Sequence, residues 1–136
     1  MRKIVAIDGP AGSGKGTVAK ILADKCNLLY IDTGAMYRAL GLKMLNLGIK
    51  FEDSQELRDL LEKTDIDFKD GAIFLDGEDV SHLIRTPEVS MAASNVSAFA
   101  FVRKHMVCAQ QKMGESKSVI MDGRDICSDV FPDAQY

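Results

Sequence analysis

The stretch KIVAIDGPAGSGKGTVAKILA, residues 3–23, is the most informative part of this chain. It places four glycines, a proline and a lysine between a short apolar run and a helix-like repeat of apolar residues. Glycine is costly in an ordinary chain because it loses more backbone entropy on folding than any other residue. The composition therefore indicates a loop that holds a ligand directly against the backbone.

The nine residues GPAGSGKGT nearly match the phosphate-binding pattern G-x-x-x-x-G-K-[ST]. Glycines let successive N–H groups turn toward one centre, and the following helix directs its positive end there. Gly16 occupies the expected hydroxyl position, which moves the threonine to Thr17. A plain glycine-rich turn is the alternative, but strand, loop, lysine and helix come in the required order. The predicted polyphosphate loop consists of Gly9, Pro10, Ala11, Gly12, Ser13, Gly14, Lys15, Gly16 and Thr17.

Composition narrows the class of protein. The 136 residues carry 17 basic and 20 acidic side chains, a net charge of −3, which argues against a sequence-blind nucleic-acid binder. A small anionic ligand held by a few arginines stays compatible with that charge. Three widely spaced cysteines show no zinc-ligand spacing and fit a reducing compartment. The N-terminal segment fits neither a signal peptide nor a membrane span, so we expect a cytoplasmic protein without nucleic-acid or membrane partners.

Apolar spacing predicts strands that alternate with helices at both ends of the chain. Short apolar runs predict buried strands at 4–7, 28–31 and 119–121. Helical repeats follow the first two strands and precede the last one, and Gly48 is placed to end the second helix. This alternation is typical of an α/β protein with a parallel sheet flanked by helices, as in P-loop NTPases.

The middle of the chain has a different character. Asp53 and Glu56 are spaced for a capping box at the start of a helix. Asp70-Gly71 is a hairpin signal between two apolar runs, and Thr86-Pro87 predicts a further helix start. We therefore predict a P-loop core formed by residues 1–64 and 97–136, incomplete at its C-terminus, with a small subdomain inserted at 65–96.

Two further motifs lie at predicted strand ends. DTGAMYR, residues 32–38, brings the hydroxyl of Thr33 and the guanidinium of Arg38 to the sheet edge where ligands bind. DGRD, residues 122–125, ends another strand, and Asp122 is placed to hold Mg²⁺ as a Walker B aspartate does, with Thr17 as the second metal residue. An aspartate after a strand is often only a turn former. A phosphate loop by itself also leaves GTPases, ATPases and kinases open.

The motifs GPAGSGKGT, DTGAMYR, GEDVSHLIRTPEVSMAAS and DGRDICSDVFPDA together resemble bacterial cytidylate kinases, a branch of the nucleoside monophosphate kinases. The resemblance implies an enzyme that uses ATP and Mg²⁺ to convert CMP or dCMP to the diphosphate. The block GEDVSHLIRTPEV is the more specific signal, because it resembles the inserted subdomain that binds the nucleoside monophosphate. Adenylate and shikimate kinases share the loop and lack that block.

The resemblance also assigns roles to individual residues. The loop residues hold the ATP phosphates, and the catalytic residues are Lys15, Arg38 and Arg124. The CMP phosphate is held by Thr33, Arg38 and Arg124, and the sugar or the cytosine edge is met by Ser94, Arg103 and Asp125. Without the resemblance, Ser94 and Arg103 could equally lie on a solvated helix face. Arg38 and Arg124 could likewise be ordinary surface residues.

The resemblance covers this whole chain but only the N-terminal part of the family's pattern. Family members continue past VFPDA into a further strand, which lies beside the strand at 4–7 in the family's sheet, then into an arginine-rich lid and a final strand and helix. One hypothesis is a CMP kinase that is a monomer when full length. The alternatives are a non-catalytic nucleotide-binding fragment of such a kinase, or a kinase for another nucleoside monophosphate.

Overall fold

The computed structural model describes residues 4–8, 15–69, 71–116 and 118–123. The described elements combine a parallel sheet with helices, which confirms the predicted α/β fold class. The elements are β1 (Ile4–Asp8), α1 (Lys15–Cys26), β2 (Leu29–Asp32), α2 (Thr33–Leu47), α3 (Gln55–Lys63), β3 (Ile66–Lys69), β4 (Ala72–Leu75), β5 (Glu78–Asp79), α4 (Pro87–Ser97), α5 (Ala100–Ser116) and β6 (Val119–Gly123).

The chain divides into two compact units. The first unit comprises Met1–Thr33 and Val107–Tyr136, and the second unit is Gly34–Met106. The second unit contains the predicted subdomain together with α3 and most of α2. The bounds 65–96 stay a prediction. Within the described parts of both units, no helix is long and apolar enough to cross a membrane.

The first unit contains a parallel sheet with the strand order β1-β6-β2. The last strand along the chain therefore lies between the first two. Its residues Val119, Ile120 and Met121 are fully buried, as expected for a strand with neighbours on both sides. Helix α1 covers this sheet by packing Ala23 against Ile120. The predicted parallel sheet flanked by helices is confirmed.

The second helix begins earlier than the sequence pattern predicts. Its apolar repeat starts at Met36, but α2 begins at Thr33, directly after β2 ends at Asp32. Its C-terminal end agrees with the prediction. Gly48 adopts a φ of 70°, and the N–H of Ile49 donates to the carbonyl of Met44 at 3.0 Å.

A small antiparallel sheet, β3-β4-β5, lies in the second unit. Lys69 pairs with Ala72 across the predicted two-residue turn, where Gly71 has a φ of 79°. The hairpin prediction is therefore confirmed. Strand β5 was missed because two residues are too short to show an alternating pattern. It follows a turn in which Asp76 and Gly77 both have positive φ, 51° and 86°.

The two predicted helix caps have different outcomes. Thr86 caps α4 as predicted, accepting from the Val89 N–H at 3.2 Å. The Asp53–Glu56 capping box is wrong, because the N-cap of α3 is Ser54, whose hydroxyl accepts from the Leu57 N–H at 3.2 Å. A capping side chain reaches the N–H three residues ahead, and here the helix begins one residue later than the box requires. Asp53 instead forms an ion pair within the second unit, described below.

Candidate functional site

The carboxyl ends of three parallel strands meet at one edge of the sheet in the first unit. The strand register pairs Asp122 of β6 with Ile7 of β1 on one side and with Asp32 of β2 on the other. Asp8 pairs with Gly123 at the end of the same ladder. The register confirms that the strands preceding the predicted motifs end at one edge of the sheet. Ligands bind at this edge in open α/β sheets.

Helix α1 begins within the predicted phosphate-binding segment, at Lys15. Lys15, Gly16 and Thr17 are its first three residues. The first N–H groups of a helix lack intrahelical partners, and they coincide with the positive end of the helix dipole. Such a terminus favours a phosphate. The remainder of the predicted loop, residues 9–14, lies outside the described residues, so its role stays a prediction.

Thr33 lies at the same strand end as the paired aspartates. It follows Asp32 directly as the first residue of α2, and only 6% of its surface is exposed. A buried threonine at the edge of a parallel sheet is compatible with the predicted phosphate contact. The sequence reasoning did not include Asp32 among the site residues. The available signal was its position, because Asp32 and Asp122 both stand at the end of an apolar strand.

Three predicted acceptor-site residues lie in the second unit. Arg38 is half-buried on α2, whereas Ser94 on α4 and Arg103 on α5 are both exposed. Lys15, Thr17, Thr33 and Asp122 belong instead to the first unit. The remaining predictions, Arg124 and Asp125, lie outside the described residues.

The connection between α4 and α5 brings Ser94 and Arg103 onto consecutive helices. The Phe99 N–H donates to the Val96 carbonyl at 3.3 Å, and the Phe99 carbonyl accepts from Val102 at 3.1 Å and from Arg103 at 3.2 Å. Val96 and Val102 are fully buried on either side of this connection. The backbone at the start of α5 is therefore fixed by hydrogen bonds and by burial of its neighbours.

The block GEDVSHLIR, which carries much of the resemblance, builds a turn in the second unit. The Asp79 carboxylate accepts from the Ser81 N–H at 2.9 Å, and the Ser81 hydroxyl accepts from the Ile73 N–H at 3.0 Å. The backbone N–H of Ser81, helped by its hydroxyl, lowers the pKa of Asp79 below its ordinary value. Val80 and Ile84 are buried beneath the turn. The order of polar and apolar residues in this block therefore follows from the hydrogen bonds and the burial that the turn requires.

The described residues hold no group of three or more His, Cys, Asp or Glu side chains placed to bind a metal. A nucleotide-bound Mg²⁺ needs fewer protein ligands, because it keeps several waters and is held by one or two carboxylates together with phosphate oxygens. Asp122 lies in register with Asp32 at the strand ends, so carboxylate-bearing residues of the right type stand at this edge. The residues present therefore fit a Mg²⁺–nucleotide.

Comparisons with known proteins agree with the motifs. The family model described as Cytidylate kinase matches residues 5–136. The cytidylate kinase of Clostridioides difficile (strain 630) is 54% identical over 133 residues, covering 98% of this chain and 62% of the relative. That of Caldicellulosiruptor saccharolyticus is 52% identical, covering 99% of this chain and 62% of the relative. The cytidylate kinase of Solibacter usitatus is 50% identical, covering 98% of this chain and 57% of the relative.

The chain is shorter than these relatives. It spans 57–62% of their length while nearly all of it is matched. This confirms that the resemblance covers only part of the family's pattern.

Proposed function

This chain belongs to the cytidylate kinase family, and from that membership we propose that the protein transfers the γ-phosphoryl group of ATP to CMP or dCMP. The observation that carries the proposal is the sheet register of the first unit. It places Asp32 and Asp122 in register at the strand-end edge, and α1 begins at Lys15 after the adjoining strand β1. Phosphoryl transfer depends almost wholly on positioning and charge neutralisation, which such an edge can supply.

The ATP phosphates are proposed to lie against loop residues 9–17 and the first turn of α1. The N–H groups of that turn and the Lys15 ammonium offset the charge of the β- and γ-phosphates. Asp122 and Thr17 are the proposed Mg²⁺ residues. When bound, Mg²⁺ neutralises charge on the phosphate oxygens and helps to orient them.

The acceptor nucleotide is proposed to receive the phosphoryl group on its own phosphate. An oxygen of the CMP phosphate attacks the γ-phosphorus of ATP, the bond to the β-phosphate oxygen breaks, and ADP leaves. The CMP phosphate is held by Thr33, Arg38 and Arg124. Cytosine presents a carbonyl and a ring nitrogen as acceptors beside an amino donor, so an arginine with an aspartate can read its edge. The residues proposed for the cytosine or sugar are Ser94, Arg103 and Asp125.

We expect this reaction in the cytoplasm, with small nucleotides as the only partners and a monomeric full-length protein. Cys26 and Cys108 are both unpaired thiols in the described part of the chain, which fits a reducing compartment. A kinase for another nucleoside monophosphate and a non-catalytic nucleotide-binding protein are the competing functions.

An assay of the intact protein with ATP, Mg²⁺ and CMP, dCMP, UMP or AMP as the acceptor distinguishes these functions. We expect kcat/KM to be highest for CMP or dCMP and far lower for AMP, because the wrong base leaves polar groups unpaired.

Lys15→Ala should weaken ATP binding by about 2 kcal/mol, since a charge-assisted contact is lost.

Lys25→Ala is the matched control, because Lys25 is an exposed lysine in the last turn of the same helix. It should leave ATP affinity and turnover unchanged. Equal kcat/KM for AMP and CMP would favour a general monophosphate kinase. ATP binding without transfer to any acceptor would favour the non-catalytic alternative. An ATP affinity that is unchanged in Lys15→Ala would refute the loop assignment.

A further inference from the structure

An arginine outside every motif described above stacks on an aromatic ring in the second unit. The guanidinium carbon of Arg58, on α3, lies 4.2 Å from the centroid of the Phe101 ring on α5. A guanidinium above an aromatic face is attracted by the ring's quadrupole. Residues 58 and 101 are far apart in sequence, so this contact ties α3 to the first turn of α5.

The guanidinium is also oriented by a carboxylate. Asp53 accepts from Nη2 of Arg58 at 2.9 Å and from Nε at 3.3 Å. Two donors on one carboxylate fix the plane of the guanidinium, which the ammonium of a lysine could not reproduce. Helix α3 itself is anchored by three buried leucines on its inner face, Leu57, Leu60 and Leu61. Arg58 therefore projects from a helix whose position is held by its buried leucines.

The ring beneath Arg58 belongs to the segment that holds Arg103. Phe101 precedes Arg103 by two residues, and its ring centroid lies 5.8 Å from that of Phe99. The carbonyl of Phe99 accepts the N–H of Arg103 at 3.2 Å. Phe101 and Arg103 share the first turn of α5, so the contact with Arg58 adds a restraint on the turn from which the Arg103 side chain projects.

We propose that Arg58 is a positioning residue for the pyrimidine nucleotide, acting through Phe101 on Arg103. This inference rests on the proposed function, in which Arg103 meets the cytosine or the sugar. Arg58 itself is not expected to contact the nucleotide. By holding the first turn of α5 against α3, it limits the orientations that Arg103 must give up on binding, which is how preorganisation improves affinity.

The test is a double-mutant cycle on the intact protein, with the Kd for CMP and for ATP measured by calorimetry. Arg58→Ala should weaken CMP binding by about twofold to fivefold, the effect expected of one exposed cation–π contact, and leave the Kd for ATP unchanged. Arg103→Ala should weaken CMP binding at least as much. The double variant should bind CMP no more weakly than Arg103→Ala alone, since one residue acts through the other.

Two further variants distinguish positioning from a general effect on folding. Lys63→Ala removes another exposed cation of α3 and should leave CMP binding unchanged. Arg58→Lys keeps a cation near the ring without the planar stack and should restore part of the affinity. If Arg58→Ala does not fold, Phe101→Leu removes the aromatic face in its place and should weaken CMP binding to the same extent.

The outcomes separate this inference from the proposed function. An Arg103→Ala variant with normal CMP affinity would refute the nucleotide contact on which the inference rests. If Arg103→Ala does weaken CMP binding, three outcomes overturn the positioning role of Arg58. They are a normal Kd for CMP in Arg58→Ala, strictly additive losses in the double variant, and an equal loss of ATP affinity.

Discussion

Asp76 shows how one carboxylate can join segments that are distant in sequence. One oxygen accepts from the Asp65 N–H at 2.8 Å, and the other accepts from the Lys43 ammonium at 2.6 Å. Burial acts to raise the pKa of Asp76, but the Asp65 N–H and Lys43 outweigh it, so the pKa lies below its ordinary value. The ion pair therefore ties the base of the small sheet to α2.

Replacing Asp76 with asparagine should remove the charge and keep both the hydrogen-bond acceptor and the tolerance for positive φ. Because the Asp76 side chain is 40% exposed, solvent screens the pair, and we expect a loss of about 0.5 kcal/mol at neutral pH. The measurement is the free energy of unfolding from urea titrations of the wild type and the variant.

The pH dependence of that difference follows from the lowered pKa. The folded state binds the proton more weakly than the unfolded state, so the stabilisation is complete above the unfolded pKa, about 3.9. It is lost as the pH falls through the lower folded pKa. Glu62→Gln, at an exposed position on α3, is the control and should show no such trend. A wild-type advantage that persisted in strong acid would contradict the assignment.

At the scale of elements, the close approach of α2 and α4 depends on a glycine. A Cβ placed on Gly41 would lie 2.9 Å from the Cβ of Ala92 and 3.1 Å from the backbone nitrogen of Ala93. Two of the three nearest atoms belong to the α4 backbone, so side-chain rotation cannot relieve the contact. Small residues at this crossing let the two helices pack at short range.

Gly41→Ala should destabilise the protein although alanine is the better helix former. The gain in helix propensity is close to 1 kcal/mol. Overpacking of a tight core site costs about 1–3 kcal/mol, so we expect a net loss of about 1 kcal/mol. Asn46→Ala, at an exposed position of α2, should instead be neutral or slightly stabilising in the same urea titration. A Gly41→Ala variant more stable than wild type would show that the helices can separate freely.

For the whole molecule, the sheet in the first unit raises the question of what lies beside β1. Within the described ranges, β1 pairs with β6 along one edge and no strand pairs with its other edge. The family resemblance implies that a strand beyond residue 136 lies there. An apolar parallel strand exposed at an edge tends to pair with other chains.

A polypeptide made of residues 1–136 alone should therefore self-associate and turn over CMP poorly. The same resemblance implies lid arginines beyond residue 136, and losing such groups costs about 10³-fold or more in rate. Sedimentation velocity and a coupled kinase assay would test both expectations against a protein extended to the relatives' length. A monomeric 1–136 polypeptide that unfolds cooperatively and phosphorylates CMP at an ordinary kinase rate would contradict both.

Local features of this protein can be predicted from residues that are close together in the chain. The Thr86-Pro87 helix start, the Gly71 turn and the Gly48 helix end were all predicted and are all present. Each depends on hydrogen bonds or dihedral angles within a few residues, so the local chain carries the information. The motifs also identified the family, because the block GEDVSHLIRTPEV accompanies a phosphate loop that many other proteins share. Where two caps were possible one residue apart, at Asp53 and Ser54, the local signal was ambiguous and the prediction was wrong.

Which distant segments meet is known only from the folded structure. Strand β6 lies between β1 and β2, which pairs Asp32 with Asp122 although 90 positions separate them. The contacts of Lys43 with Asp76 and of Arg58 with Phe101 are equally invisible in the sequence. The physical reason is that a buried parallel strand is apolar on both faces and fits many neighbours, so its own residues do not specify a partner. Strand order and long-range side-chain pairs are instead selected by how the whole core packs.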